Sequence, residues 1–221
     1  HIESVDKDKE NKTIQERLEL IAQDKDIARN FLNKLEKLSL SDSNKDYYQK
    51  RYCNIFEVLK KFVESDDIKS FLCLNMALPK TDEAKFDFNL FNLFVEQYCQ
   101  IHQKEVPQIT VLATSDFEPE KNRILQSLSE GKKVFVFSAY KTVGAGQNLQ
   151  YEIPDTEKEK IIKLFSHGKE SSQKDFDAIY LGDVTHAITN INDVQKIDLK
   201  ELLHFLFDIK FLYENNEISP K

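Results

Sequence analysis

The sequence predicts an α/β protein in which a parallel sheet is flanked by helices and preceded by a helical hairpin. Short apolar runs typical of buried strands lie near residues 70–75, 108–113, 133–138 and 177–181. Stretches with apolar residues at helical spacing separate the first three runs. Because strands and helices alternate, the right-handed crossover rule favours a parallel sheet. The length of 221 residues suits one such domain with helical additions.

The first part of the chain is predicted to be a pair of helices. Apolar residues recur at spacings of three and four over 14–38, which predicts one long amphipathic helix. A polar turn over 39–45 leads to a second helix from about 48 to 64. The antiparallel hairpin has three possible roles: an arm or linker from a preceding domain, a partner-binding surface, or a buttress for the sheet.

The chain beyond the hairpin alternates strands with helices. Crossover helices are predicted over about 85–102 and 119–129. A short helix over 157–165 and a mobile polar loop over 166–174 follow. The apolar segment 199–213 is predicted to be a buried closing helix or a contact with a missing partner domain. The predicted divisions are a hairpin or linker (1–65), the α/β domain (66–190) and a C-terminal helix and tail (191–221).

A polar, glycine-bearing loop follows the third strand directly. In open α/β sheets, ligands bind in the crevice at the carboxyl ends of the strands, where such a loop begins. Two alternate glycines permit positive φ and a close backbone approach, so the loop is either an anion-binding nest or a tight turn. The candidate binding residues of this loop are Ser138, Thr142, Gly144, Gly146, Gln147 and Asn148.

A second polar group follows the second strand. Thr114, Ser115 and Asp116 precede a predicted helix, so a side-chain oxygen of Ser115 or Asp116 is expected to cap its free N–H groups. The same three residues are also candidates for lining the crevice, because carboxyl ends of parallel strands meet at one edge of the sheet.

The stretch SAYKTVGAGQNLQY, residues 138–151, resembles motif V of the superfamily-two helicases and translocases. It is most similar to the Gly-x-Gly-x-Asn-Leu form of chromatin-remodelling ATPases and their bacterial relatives. The resemblance implies a second RecA-like domain over about residues 66–190, whose motif V touches the nucleic-acid backbone and couples it to the nucleotide site. The match covers Ser138, Gly144, Gly146, Asn148 and Leu149.

The resemblance also implies cofactors and partners. The intact parent protein would bind ATP, Mg²⁺ and DNA or RNA, together with a first RecA-like domain that is missing from this chain. The sequence has no G-x-x-x-x-G-K-[ST] phosphate loop, and residues 183–202 contain no arginine. The chain alone is therefore expected to bind no cofactor and to be inactive. Two alternatives stay open: a non-catalytic protein-interaction module, and a phosphate-ligand binder that uses Gly144 and Gly146.

Composition limits the other classes. The net charge of −7 disfavours tight binding of nucleic acid by this chain alone, because phosphate contacts need Lys and Arg. No apolar run reaches about 18 residues, so no membrane association is expected, and a cytoplasmic protein is predicted. The chain begins at His1 and its one methionine is Met76, which indicates an excised fragment. Cys53, Cys73 and Cys99 are predicted to be buried free thiols, with a metal site or disulfides as the less favoured interpretation.

Overall fold

Three helices precede the sheet in the part of the chain that the computed structural model describes, residues 12–143, 148–159, 165–166, 169–170 and 172–182. They are α1 (Ile14–Ala22), α2 (Lys25–Glu36) and α3 (Asp42–Glu64).

The single long helix expected over 14–38 is wrong, because the chain breaks between α1 and α2. Gln23 has φ of 53°, a left-handed conformation that ends α1. The Asp24 carboxylate then accepts hydrogen bonds from the N–H groups of Asp26 and Ile27, so it starts a new helix as its N-cap. The break changes the direction of the chain while both helices keep their apolar sides on one core. Helix α3 begins at Asp42, about six residues earlier than expected.

The sheet-forming region contains two helices and eight strands in its described part. In chain order they are β1 (Ser70–Asn75), α4 (Phe88–His102), β2 (Gln108–Leu112), α5 (Phe117–Ser129), β3 (Val134–Ala139), β4 (Tyr151–Glu152), β5 (Phe165–Ser166), β6 (Lys169–Glu170), β7 (Gln173–Lys174) and β8 (Ala178–Leu181).

The main sheet is parallel, with its four described strands in the order β2-β3-β1-β8. It confirms the predicted fold class, a parallel α/β sheet flanked by helices and preceded by helices, and it is consistent with a RecA-like arrangement. All six residues of β1 and all six of β3 are buried. This burial follows from their central positions, since a strand with helices on both faces reads as a continuous apolar run.

The connection from β3 to β8 differs from the prediction. The expected short helix over 157–165 is not present at its two described ends, because residues 157–159 form turns and Phe165 lies in β5; residues 160–164 lie outside the described residues. Residues 155–159 read DTEKE and supply no apolar face, so packing does not favour a helix over these five residues. Antiparallel pairs β4–β7 and β5–β6 occupy this region instead of one polar loop. The helix predicted over 199–213 lies outside the described residues.

The two faces of the sheet carry separate apolar clusters. Helices α3 and α4 pack on one face, where Phe71 stacks on Phe135 with ring centroids 5.0 Å apart, and α1 and α2 pack on these two helices in the same cluster. Helix α5 covers the other face, where Ile124 and Leu128 pack with Tyr151. The N-terminal helices thus buttress the sheet through a continuous core.

The amino-terminal edge of the sheet is held by a polar network that we call the amino-edge network, formed by Ser70, Tyr151, Glu157, Lys174 and Asp177. One Asp177 carboxylate oxygen accepts hydrogen bonds from the N–H groups of Lys69 and Ser70, each at 2.9 Å. The Ser70 hydroxyl donates to the same oxygen at 3.0 Å and accepts from the Tyr151 hydroxyl at 3.0 Å. These bonds join β8 and β4 to the start of β1.

Lys174 completes the network by contacting two carboxylates. Its Nζ lies 2.7 Å from Asp177 Oδ1 and also donates to Glu157, and the Lys174 and Asp177 side chains are only 14% and 19% exposed. Burial opposes the charge of Asp177, but Lys174 and the N–H groups of Ser70 and Lys69 outweigh it, so the pKa of Asp177 lies below its ordinary value. The ionised form of Asp177 therefore stabilises the fold.

We expect Asp177→Asn to lower the free energy of unfolding by about 1.5–3 kcal/mol, because it weakens charged hydrogen bonds to Lys174 and to two backbone N–H groups. The measurement is urea denaturation near neutral pH. Asp175→Asn is the matched control, since Asp175 is exposed two residues away. Equal stability of Asp177→Asn and Asp175→Asn would contradict this role.

We also expect the stability difference between the wild type and Asp177→Asn to depend on pH. A carboxyl whose folded-state pKa is depressed adds stability above its unfolded pKa, and this stability is lost as the pH falls through the folded pKa. The difference should be complete above pH values near 5 and shrink below the ordinary value of 3.8. Denaturation curves at a series of acidic pH values test this, and a constant difference would count against it.

Candidate functional site

The topology creates a crevice at the carboxyl ends of β1 and β3. These strands are neighbours, yet β1 leads to α4 on one face of the sheet and β3 leads toward Tyr151 on the other. Adjacent strands whose connections leave to opposite faces define a topological switch point, the usual ligand position in open α/β sheets. The polar loop predicted as a binding loop begins here, directly after β3.

The base of the crevice is built from backbone contacts between three strand ends. Tyr140 N–H donates to the Asn75 carbonyl at 3.2 Å, and Gly182 N–H donates to the Leu74 carbonyl at 2.8 Å. The Tyr140 hydroxyl donates to the Gly182 carbonyl at 2.7 Å. A Cβ at Gly182 would lie 2.5 Å from Asn75 Oδ1 and 2.9 Å from the Leu74 carbonyl oxygen, so this close approach needs glycine. Sequence reasoning did not single out these residues.

The structure brings two of the predicted site residues together. The hydroxyls of Thr142 and Thr114 lie 3.0 Å apart, which joins the loop after β3 to the turn after β2. Thr142 is buried, whereas Thr114 is exposed. Ser115 and Asp116 are also exposed, and the Ser115 hydroxyl donates to the Asp116 carboxylate at 3.2 Å. The turn after β2 therefore lies at the crevice, with Thr114 as its contact.

The expected side-chain cap of α5 is wrong. Asp116 occupies the N-cap position, but its side chain makes no capping hydrogen bond with the described residues, and its backbone angles of −126° and 36° are not those of an extended N-cap. Glu118 and Glu120 lie in the first turn, where carboxylates favourably face the helix dipole. The Glu120 carboxylate also accepts from the Thr110 hydroxyl at 2.7 Å.

Ser138 points into the protein rather than into the crevice. It is 1% exposed, and its hydroxyl donates to the Leu112 carbonyl of β2 at 2.9 Å. The two-residue period of a strand places Ser138 on the same face as Val134 and Val136, which pack in the α5 cluster. Strand alternation in the sequence was a signal for this burial.

Asn148 has a local structural partner. Its side-chain Oδ1 accepts from the Gln150 N–H at 2.9 Å, the geometry by which asparagine stabilises a turn. The side chain is exposed, and its contact with a ligand stays a prediction. Gly144, Gly146 and Gln147 lie outside the described residues.

The cysteines occupy apolar surroundings away from solvent. Cys53, Cys73 and Cys99 are free and buried, as predicted. Burial raises the pKa of the Cys53 and Cys73 thiols to about 12, so both are protonated at neutral pH. Within the described ranges, no group of three or more His, Cys, Asp or Glu side chains is arranged to hold a metal ion.

No helix among the described residues combines the length and the apolar character that crossing a membrane requires. Neither a protein-family model nor a curated protein matches the chain. The similarity to motif V accordingly rests on residues 138–151 and on the order of strands around them.

We expect Ser138→Ala to lower the free energy of unfolding by about 1–3 kcal/mol, because it removes a buried hydrogen bond to the Leu112 carbonyl. Thermal or urea denaturation measures the change. Ser115→Ala is the matched control, since Ser115 is exposed and should change stability little. If Ser138→Ala kept full stability, the buried bond would not be the main role of Ser138.

Proposed function

We propose that this chain is the second RecA-like domain of a superfamily-two helicase or translocase, which couples contact with DNA or RNA to hydrolysis of ATP. The observation that carries the proposal is the position of the motif V-like stretch. It starts at the carboxyl end of β3, beside β1, at the topological switch point. A loop at that place reaches a ligand bound over the sheet.

The residues of the loop would have different roles in binding. Gly144 and Gly146 would let backbone N–H groups approach a nucleic-acid phosphate, with Gln147 and Asn148 beside them. Thr142 would hold the start of the loop against Thr114, its partner at 3.0 Å. Ser138 contributes by fixing the end of β3 to β2, since its hydroxyl is used within the sheet.

The nucleotide would be bound mainly elsewhere. ATP and Mg²⁺ require the phosphate loop that this sequence does not contain, so a first RecA-like domain would supply it. An arginine that stabilises phosphoryl charge would also have to come from outside residues 183–202. On this proposal the chain alone shows no ATP turnover and binds nucleic acid weakly and in a salt-sensitive way.

A second candidate is a non-catalytic interaction module. The observation in its favour is that described polar side chains of the loop have partners within the protein: Ser138 with Leu112, Thr142 with Thr114 and Asn148 with Gln150. A loop with such internal bonds has a structural role that requires no ligand. The phosphate-ligand binder is a third possibility and rests on Gly144 and Gly146.

The test uses the full-length gene product in which this chain occurs. We expect Gly146→Val to reduce nucleic-acid-stimulated ATP hydrolysis, because the added side chain blocks the approach to phosphate and disfavours positive φ, at a cost of about 1–3 kcal/mol. Asn148→Ala should also reduce it, with a melting temperature close to that of the wild type. Asn122→Ala, an exposed asparagine on α5, is the matched control.

Two outcomes would oppose the proposal in different ways. If Asn148→Ala strongly destabilised the protein but left the activity per folded molecule normal, the role of Asn148 would be structural only. A full-length protein without nucleic-acid-stimulated hydrolysis would favour the interaction module.

A further inference from the structure

A small cleft lies between α1 and α3. None of the residues that line it belongs to the proposed nucleic-acid loop after β3. Its volume is about 130 Å³. Sites for cofactors and drug-sized ligands usually occupy roughly 300–1,000 Å³. The cleft therefore suits a single side chain of a larger partner better than a free small molecule.

The walls of the cleft are mainly basic. Four cations line it, Lys12, Arg17, Lys60 and Lys61, together with the carboxylate of Glu57. The protein as a whole has a net charge of −7, so the sign of the local charge is opposite to that of the molecule. A basic cleft on an acidic protein favours an anionic partner and guides its approach.

Arg17 is positioned for such a partner. Its guanidinium donates to the Asn54 side-chain oxygen at 2.7 Å, which fixes its direction without neutralising its charge. Lys60 differs, because Glu64 pairs with it at 2.6 Å. Arg17 thus keeps N–H donors of its planar group for a second acceptor, and a carboxylate fits that geometry.

The cleft also has an apolar part. Ile21 is 5% exposed, while Leu20 beside it is 58% exposed. An exposed leucine is ordinary by itself, but here it adjoins a cavity of side-chain size. Among the described residues, those that line the cleft include no aromatic ring, so it lacks the stacking surface that single-stranded nucleic acids use.

We propose that the cleft between α1 and α3 docks an acidic peptide segment of a partner protein. One aliphatic side chain of the segment enters the cleft against Leu20 and Ile21, and a flanking carboxylate pairs with Arg17. This makes the N-terminal helices a partner-binding surface as well as a buttress for the sheet. The inference is independent of the proposed helicase function.

The experiment pans a display library of random short peptides against the chain and against Arg17→Gln. The glutamine side chain of this variant removes the charge of Arg17 and keeps an uncharged N–H donor on the same helix position. We expect the wild type to enrich peptides in which Asp or Glu flank a Leu, Ile or Val, and Arg17→Gln to lose this enrichment. Absence of an Arg17-dependent acidic consensus would overturn the proposal.

A synthetic peptide of the enriched sequence is then titrated by fluorescence anisotropy. Arg17→Gln and Leu20→Gln should each weaken binding by roughly two- to fivefold, and high salt should weaken it further, because the pairs are at the surface. The matched controls are Arg29→Gln and Ile101→Gln, both exposed residues outside the cleft, which should bind as the wild type does.

Other occupants give distinguishable results. If a single-stranded oligonucleotide displaced the peptide from the wild type, and bound Arg17→Gln less well, the cleft would be a nucleic-acid site. That result would overturn the proposal. If sedimentation showed that the chain self-associates and that Leu20→Gln abolishes the association, the cleft would bind a second copy of this chain. That result would also overturn the proposal.

Discussion

Burial of the central strands on both faces is the constraint on which the rest of this structure depends. A strand such as β3, with the run Val134–Ala139 buried throughout, is stable only when both sides of the sheet are covered. The two faces of the sheet are covered by different numbers of helices. One face receives α3 and α4, with α1 and α2 packed on them, and most of the aromatic side chains, and the other receives α5 and Tyr151. The N-terminal helices are consequently part of the sheet's core.

The same constraint separates the two edges of the sheet by chemistry. With both faces apolar, polar groups that join the strands concentrate at the strand ends. At the amino edge, the Asp177 carboxylate bonds to both Ser70 and Lys174, so charged groups hold the strand ends together. At the carboxyl edge the contacts are neutral, as between Thr142 and Thr114, and the loop they hold continues past the strand.

The features that could be predicted from the sequence are those with local causes. The runs FLCL in β1 and VFVF in β3 predict buried strands, because four apolar residues follow one another without a polar interruption. The approach of Thr142 to Thr114 follows from a general rule of parallel sheets. The break at Gln23 was not predictable from periodicity, because the apolar spacing continues across it. The side-chain oxygen of Asp24 determines where the second helix begins.

Other features depend on contacts between distant residues. Asp177 is separated from Ser70 by 107 positions, and nothing near either residue indicates the partner. The hydroxyl of Ser138 also has a distant partner, the Leu112 carbonyl 26 residues earlier in the chain. The basic cleft likewise needs α1 and α3 side by side, since its cations come from both helices.

The place of β8 in the sheet has a consequence for how the protein is made. β1 is the first strand of the sheet to leave the ribosome, and its outer neighbour β8 is the last described one, so that pairing has high contact order. During synthesis β1 keeps an unpaired apolar edge until Leu181 has emerged, at about 5–20 residues per second. Such an open edge is a template for strand pairing with other chains. The nascent protein is therefore exposed to aggregation in the seconds before β8 emerges.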